Sequence, residues 1–143
     1  MALPVVVPDA SVVLKWLLPS TDEPDADKAL ALLDAMEADA LRVLLPSLWF
    51  YEVGNTIARR FPRKAAVWLT TLENLALGEA PRTPRWLAVA LSLADLHGVT
   101  FYDAAYHATA LAHGGVFITA DRRYVERAGE AGGVVALSDW TPA

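Results

Sequence analysis

Three segments of the chain share one pattern, in which an apolar run is followed by an aspartate and then by a helical stretch. The segments are VVVPDAS, VTFYDAAYH and VFITADRRY, and their acids are Asp9, Asp103 and Asp121. Ligands of open parallel sheets bind outside the carboxyl ends of the strands, so the pattern predicts that these acids meet at one edge of a sheet. Glu52 falls about one turn into the helix that follows another apolar run, residues 42–45, and its longer side chain could reach the same edge.

Four carboxylates at one edge repel one another unless some of them bind protons or share a cation. Ligand sets made only of oxygen favour Mg²⁺ or Mn²⁺ over zinc, and Mg²⁺ commonly keeps several waters and shares the phosphate oxygens of a substrate. Such a cation lowers the pKa of bound water and stabilises the charge that develops on a phosphodiester under attack. The four acids therefore predict metal-dependent hydrolysis of phosphodiesters.

The elements that must position these acids alternate between short apolar strands and helices. Strands are predicted at residues 5–7, 42–45, 99–102, 116–119 and 134–137. Helices are predicted at residues 11–18, 21–40, 48–61, 63–76, 85–96, 103–113 and 122–128, with Ser47 capping the third. This alternation is typical of an α/β fold with a central parallel sheet flanked by helices on both faces. Because the sequence contains no repeat or long polar linker, residues 1–143 are expected to form a single domain.

The composition limits the class of protein. The formal net charge of −5 argues against a general basic surface for nucleic acid, although cations bound in an acidic site can reverse the local field. The chain has no Cys, which excludes disulfides and thiolate zinc sites and favours a cytoplasmic location. Polar residues or glycine interrupt each long apolar stretch, so no membrane segment is expected. The hydrophobic content of 55% and the five Trp residues suggest that another chain covers part of the surface.

Four sequence blocks occur in an order and spacing that are specific as a set, although each block alone is weak. They are DAS with a following KW (residues 9–11 and 15–16), Pro46 followed by Glu52, Val53 and Asn55, YDAAY (residues 102–106), and TADR (residues 119–122). In these blocks the sequence resembles the PIN-domain nucleases, and among them the VapC-type toxins of bacterial and archaeal toxin–antitoxin pairs. One departure is Pro8, which stands directly before the first acid and lacks a backbone donor.

The resemblance implies a PIN-like fold, dependence on Mg²⁺ or Mn²⁺, endoribonuclease activity on RNA, a homodimer, and inhibition by a cognate antitoxin protein. By position it implies that one acidic quartet binds the metal and carries the catalysis, namely Asp9, Glu52, Asp103 and Asp121. It also implies that Ser11 and Thr119 are hydroxyl partners of this site.

Three further polar residues lie close in sequence to the predicted site. Asn55 is one turn from Glu52 and could contact a ligand water or the substrate, although a solvated role is as plausible for a helical Asn. Arg122 and Arg123 follow Asp121 at a helix start, where the helix dipole disfavours cations, so they are candidate RNA phosphate contacts.

Each acid also has a purely structural interpretation. Asp9, Asp103 and Asp121 all stand where a helix is predicted to begin, and carboxylates there commonly cap free amides. Glu52 is harder to explain in this way, because an acid within so apolar a helix is seldom buried without a partner or a metal. His107, one turn after Asp103, could support the metal ligands or contact RNA, but an ordinary partly buried histidine is expected.

Three functions remain open from the sequence. The leading hypothesis is an endoribonuclease toxin, in which activated water cuts RNA and leaves a 5′-phosphate without using the ribose 2′-hydroxyl as the nucleophile. The second is a phosphotransfer or phosphatase domain with an aspartate at a strand end, but the chain lacks the Lys after a late strand that such receivers need. The third is a non-catalytic PIN-like scaffold that binds through its apolar surface.

Overall fold

A computed structural model describes residues 2–142, which form five strands and seven α-helices. The strands are β1 (Val5–Pro8), β2 (Arg42–Leu45), β3 (Gly78–Glu79), β4 (Val116–Thr119) and β5 (Val134–Ala136). The helices are α1 (Ala10–Leu14), α2 (Ala26–Glu37), α3 (Leu48–Arg60), α4 (Ala65–Asn74), α5 (Pro84–His97), α6 (Phe101–Ala112) and α7 (Arg122–Ala128). No helix within the described range is both long enough and apolar enough to cross a membrane.

The strands form one parallel sheet in the order β3-β2-β1-β4-β5, and helices flank it on both faces. The predicted fold class is therefore confirmed. The chain first builds outward from β1 to β3 and then crosses over to β4 and β5, so the strand order reverses between β1 and β4. The carboxyl ends of strands at such a reversal leave a crevice in which α/β proteins bind ligands.

The pairing of β1 with β4 sets the positions of the first and fourth acids. Pro8 pairs with Ile118 in register, and the next backbone amide, that of Asp9, donates to the Ile118 carbonyl at 3.2 Å. The missing donor of Pro8 therefore does not interrupt this edge of the ladder. At the start of β4, a Cβ added to Gly115 would lie 2.5 Å from the Val5 carbonyl oxygen, so only glycine allows the two strands to approach this closely.

Helices α5 and α6 form one layer of the fold. Helix α6 packs on β1, β2 and β4, and α5 packs on α6. The small side chains of Ala104, Ala105 and Ala108 allow the close approach of α5, whose Trp86 and Leu93 join them in a buried cluster. Burying side chains of the size of Leu is worth roughly 1.5–3 kcal/mol each, so this contact holds α6 firmly against the sheet.

The predicted strand at residues 99–102 is wrong. Gly98, with a φ of 62°, ends α5, and the Thr100 hydroxyl accepts a hydrogen bond from the Asp103 amide at 3.1 Å, which caps α6. The helix therefore begins at Phe101, and Asp103 lies in its first turn instead of following a strand. A four-residue apolar run does not by itself distinguish a strand from the start of a helix, and here the threonine cap favours the helix.

Several predicted boundaries also differ from the structure. The strand β3, which follows the helix predicted at residues 63–76, was not predicted, because the pairing of Gly78 with Leu44 is a tertiary contact. The first two predicted helices are shorter than expected and span Ala10–Leu14 and Ala26–Glu37. Ser47 occupies the N-cap position of α3, but its side chain makes no capping hydrogen bond.

Candidate active site

All four predicted acids line one cavity of about 210 Å³ at the carboxyl ends of β1 and β4. Asp9 directly follows β1 and Asp121 lies two residues after β4, while Glu52 comes from α3 and Asp103 from α6. The other residues that line this acidic cavity are Ala10, Ser11, Tyr106, Phe117, Thr119 and Tyr124. The fold thus brings together acids that are up to 112 positions apart in the sequence.

Asp9 is the most buried of the four acids, with 9% of its surface exposed. Its carboxylate accepts hydrogen bonds from the Ser11 hydroxyl, from Thr119 Oγ1 at 2.6 Å and from the Val12 amide at 3.3 Å. Burial, with a smaller contribution from the negative charge of Asp103, raises its pKa from 3.8 to about 6 despite these bonds. The protein therefore disfavours the charged form of Asp9 in the absence of a cation.

Ser11 and Thr119 also tie the two strand ends together. The Ser11 hydroxyl accepts a hydrogen bond from the Ala120 amide at 3.2 Å, and Thr119 Oγ1 accepts one from the Asp121 amide at 3.0 Å. Each hydroxyl can donate to the Asp9 carboxylate and accept from the turn after β4 at the same time. The orientation of Asp9 is therefore linked to the path of the chain that carries Asp121.

Glu52 is half-buried, and its Oε1 accepts a 2.5 Å hydrogen bond from the Tyr106 hydroxyl. Burial raises the pKa of Glu52, the Tyr106 bond lowers it, and the charge of Asp103 raises it. The Tyr106 ring stacks on Phe117, with centroids 5.9 Å apart, so its hydroxyl is held in place. Tyr106 thus positions the acid that α3 contributes.

Asp103 lies at the electrostatic centre of the cluster. Its charge raises the pKa of both Asp9 and Glu52, and its own pKa is raised by burial and by the charge of Asp121. Within residues 2–142 no Lys or Arg lies within 4.0 Å of these four carboxylates. The two ion pairs in that range join Lys15 to Glu23 and Arg122 to Asp139. The negative charge of the cavity is therefore not compensated by the side chains around it.

The capping interpretation accounts for only part of this arrangement. Asp9 does cap α1, and Asp121 caps α7 by accepting from the Arg123 amide at 3.0 Å. Asp103 caps no helix, because Thr100 fills that position for α6, and Glu52 lies inside α3. Capping therefore does not explain why two further acids face the same cavity.

The donor set fits a hard divalent cation, although the acids do not form a closed cage in this conformation. Among residues 2–142, no three His, Asp or Glu side chains are close enough together to hold a metal ion. Mg²⁺ does not require such a cage, because it is usually bound by one or two carboxylates, several waters and the phosphate oxygens of a substrate. A carboxylate cavity that includes buried Asp9 and has no cationic partner among residues 2–142 matches that mode of binding.

Asn55, Arg122 and Arg123 are exposed and do not line the acidic cavity. The guanidinium of Arg122 instead lies 3.8 Å from the Asp139 carboxylate, in the 3₁₀-helical turn Leu137–Asp139, and donates to the Ser138 hydroxyl. The proposed contacts of these three residues with water or RNA therefore stay predictions.

Tyr106 and Tyr124 line the cavity, although neither was predicted from the sequence to have a role there. Each lies three positions after an acid, Asp103 or Asp121, and residues three apart on a helix share a face. That spacing is the signal that could have identified them.

His107 is fully buried, whereas a partly buried side chain was predicted, and it does not line the cavity. Its Nε2 lies 2.7 Å from the Gly132 carbonyl oxygen, which can only accept, so Nε2 carries the proton. Nδ1 then accepts a 2.7 Å hydrogen bond from the Tyr124 hydroxyl, and burial lowers the pKa of the ring. His107 is therefore a neutral core histidine that orients Tyr124, rather than a metal ligand.

Comparisons with known proteins place the chain in a family. Solved structures with the same fold include FitAcB from Neisseria gonorrhoeae, with 21% identity, a TM-score of 0.67 and coverage of 94% of this chain and 99% of that one. Others are a toxin–antitoxin complex from Klebsiella pneumoniae (17% identity, TM-score 0.64, 96% and 98% coverage) and VapC20 from Mycobacterium tuberculosis (16% identity, TM-score 0.64, 90% and 96% coverage). At these identities the similarity shows the fold alone. No curated protein matches the sequence. The family model described as PIN domain matches residues 6–130, and the chain therefore belongs to the PIN domain family.

Proposed function

We propose that this chain is an endoribonuclease that depends on Mg²⁺ or Mn²⁺ and acts as the toxin of a toxin–antitoxin pair. The observation that carries the proposal is the acidic cavity, in which four carboxylates from separate elements meet and no Lys or Arg of residues 2–142 lies within 4.0 Å of them. Such a cluster is stable at neutral pH only if some acids take up protons or a cation binds. Membership of the PIN domain family supports the second possibility.

Asp9, Glu52, Asp103 and Asp121 are the proposed ligands, used directly or through water. When bound, a divalent cation supplies a nucleophile from water at neutral pH and offsets negative charge on the phosphate. Ser11 and Thr119 keep Asp9 in position with their hydroxyl hydrogen bonds.

Tyr106 positions Glu52 in the same way, because its hydroxyl donates directly to the Glu52 carboxylate. These contacts hold Asp9 and Glu52 in defined orientations before the cation and the substrate bind.

The choice of RNA and of an antitoxin partner is supported by the proteins that share the fold. The Klebsiella pneumoniae structure is a toxin–antitoxin complex, and the Mycobacterium tuberculosis protein is described as a toxin that cleaves the sarcin–ricin loop. Exposed apolar side chains, including Val67, Leu91 and Leu96, provide surface for a homodimer or an antitoxin. We propose that residues 1–143 act as one nuclease domain in the cytoplasm, where RNA substrates occur.

The deciding experiment measures cleavage of single-stranded RNA oligonucleotides by the purified protein. We expect cleavage with Mn²⁺ or Mg²⁺ that stops on addition of EDTA, and products that carry a 5′-phosphate. Asp103→Asn should lower the rate by at least about 100-fold, while Asp34→Asn, which changes an exposed acid on α2, should cleave like the wild type.

Two other outcomes would contradict the proposal. A folded wild-type protein that never cleaves RNA with either cation would favour the non-catalytic scaffold. Stable phosphorylation of Asp9 by a small phosphodonor would instead favour a phosphotransfer domain.

A further inference from the structure

A second cavity, of about 150 Å³, lies beside the acidic one and is lined mainly by apolar side chains. Its walls come from the amino-terminal ends of three helices, with Leu48 from α3, Trp86 from α5, and Phe101, Tyr102 and Ala105 from α6. We call it the aromatic cavity. None of the residues assigned to the proposed catalytic site lines it.

The two cavities are adjacent, because residues of α3 and of α6 line both of them. Tyr102 lines the aromatic cavity and the next residue, Asp103, lines the acidic one. On α3, Leu48 lines the aromatic cavity, and Glu52, one helical turn later, lines the acidic one. An RNA strand with a phosphodiester at the four acids would therefore place a neighbouring nucleotide at the aromatic cavity.

The aromatic rings of this cavity are partly fixed and partly open to solvent. The indole N–H of Trp86 donates to Thr109 Oγ1 at 3.0 Å, and Phe101 meets the Trp86 ring edge to face at 5.9 Å. Phe101 is 41% exposed and Tyr102 is 65% exposed. Exposed aromatic rings on a rigid support are the groups on which proteins stack unpaired RNA bases.

The polar groups at the aromatic cavity suit a nucleotide as well. Arg82 is the only charged residue among those that line it, all of which fall within residues 2–142, and Arg stacks on bases and binds phosphate. Ser47 also lines it, and its exposed side chain makes no capping bond with α3, so its hydroxyl can contact a base edge.

The net charge of the chain favours a contact of this kind. With a formal charge of −5, the protein has no general basic surface to hold RNA, so base stacking would add to the affinity that cations in the acidic cavity provide. We infer that the aromatic cavity binds one unpaired nucleobase of the RNA substrate, next to the phosphodiester at the four acids. This inference rests on the proposed nuclease function and adds the site that selects single-stranded substrate.

The test compares KM and kcat for cleavage of an unpaired RNA oligonucleotide with Mn²⁺. Tyr102→Ala should raise KM by about 5- to 100-fold with kcat little changed, because one stacking partner is lost. Tyr102→Phe keeps the ring and should behave like the wild type. Tyr51→Ala is the matched control, because Tyr51 is 75% exposed on α3 and lines neither cavity.

A second series locates the base by placing one abasic nucleotide at each position around the cleaved bond. One position should raise KM as much as Tyr102→Ala does, and the same abasic oligonucleotide should raise it no further in the Tyr102→Ala variant. Such a non-additive pair of changes identifies two groups that contact each other. Additive effects at every position would overturn the inference.

Three further outcomes separate the possibilities. Wild-type cleavage with an unchanged KM for Tyr102→Ala would overturn the aromatic cavity as a base site and leave the nuclease intact. No metal-dependent cleavage by folded wild type would overturn both proposals. Conversion of a dimer to a monomer by Tyr102→Ala, measured by light scattering, would make the cavity a contact between two copies of the chain and overturn the inference.

Discussion

The hydroxyl of Tyr106 donates a 2.5 Å hydrogen bond to Oε1 of Glu52 and so joins α6 to α3 across 54 positions of sequence. Each of these helices carries one acid of the cavity, Asp103 on α6 and Glu52 on α3. The bond therefore links the positions of Glu52 and Asp103, the two acids that lie on helices and do not follow a strand. Removal of this bond should change the pKa of Glu52 while all four acids stay in the sequence.

The variant Tyr106→Phe tests this relationship. The Tyr106 bond lowers the pKa of Glu52, so the variant should raise that pKa and move the acidic limb of the kcat/KM profile to higher pH. A loss of stability of about 1 kcal/mol is also expected, because Glu52 is only half-buried and water can replace the donor. Tyr51→Phe, at an exposed position, serves as the control. An unchanged pH profile in Tyr106→Phe would show that the bond does not tune Glu52.

The pKa of Asp9 leads to a prediction about stability without metal. Its folded-state pKa is raised from 3.8 to about 6, so the ionised form destabilises the fold above pH 6, and this cost disappears as the pH falls toward 4. The full cost at neutral pH is about 3 kcal/mol. Urea unfolding in EDTA should therefore give a wild-type free energy of unfolding that increases from pH 7.5 to pH 5.

The variant Asp9→Asn should reduce that pH dependence, of which the raised pKa values of Glu52 and Asp103 keep a part, and it should be more stable than the wild type at pH 7.5 by about 1–2 kcal/mol. The gain is smaller than the full cost, because Asn accepts the bonds from Ser11 and Thr119 less well than a carboxylate. A variant less stable than the wild type at pH 7.5 in EDTA would assign Asp9 a structural role through its bonds.

Cation binding should be visible in the melting temperature. A ligand present at about 100 times its Kd stabilises the folded state by about 2.7 kcal/mol, so saturating Mn²⁺ should raise the wild-type Tm by several degrees. Asp103→Asn should abolish most of this increase, because it removes one proposed ligand, whose charge also raises the pKa of Asp9 and of Glu52. Differential scanning calorimetry measures the change in Tm on addition of Mn²⁺, and Asp34→Asn is the control. An equal increase in Asp103→Asn would place the cation elsewhere.

Much of the site could be predicted because its acids follow a local pattern. Asp9 and Asp121 lie just beyond the ends of β1 and β4. In α/β folds the carboxyl ends of parallel strands all lie at the same edge of the sheet, which is where ligands bind. Asp103 was also predicted at this edge, but from a strand at residues 99–102 that does not exist. It lies instead in the first turn of α6.

The remaining features depend on contacts that no local pattern contains. The Tyr106–Glu52 bond and the His107–Tyr124 pair join residues that approach only after the helices have packed. The strand β3 has two residues, Gly78 and Glu79, and exists because it pairs with β2. An apolar pattern cannot predict a strand of that length.

The cap of α6 gives a final prediction, because Thr100 and Thr83 perform the same structural task at different distances from the acids. Each threonine hydroxyl accepts a backbone amide at 3.1 Å, from Asp103 in α6 and from Trp86 in α5. Thr100→Ala and Thr83→Ala should each lower the free energy of unfolding by about 1 kcal/mol. Only Thr100→Ala should also lower kcat, by about 10-fold, because its bond fixes the backbone of Asp103. Equal kcat values in the two variants at equal stability would show that the cap does not position the acid.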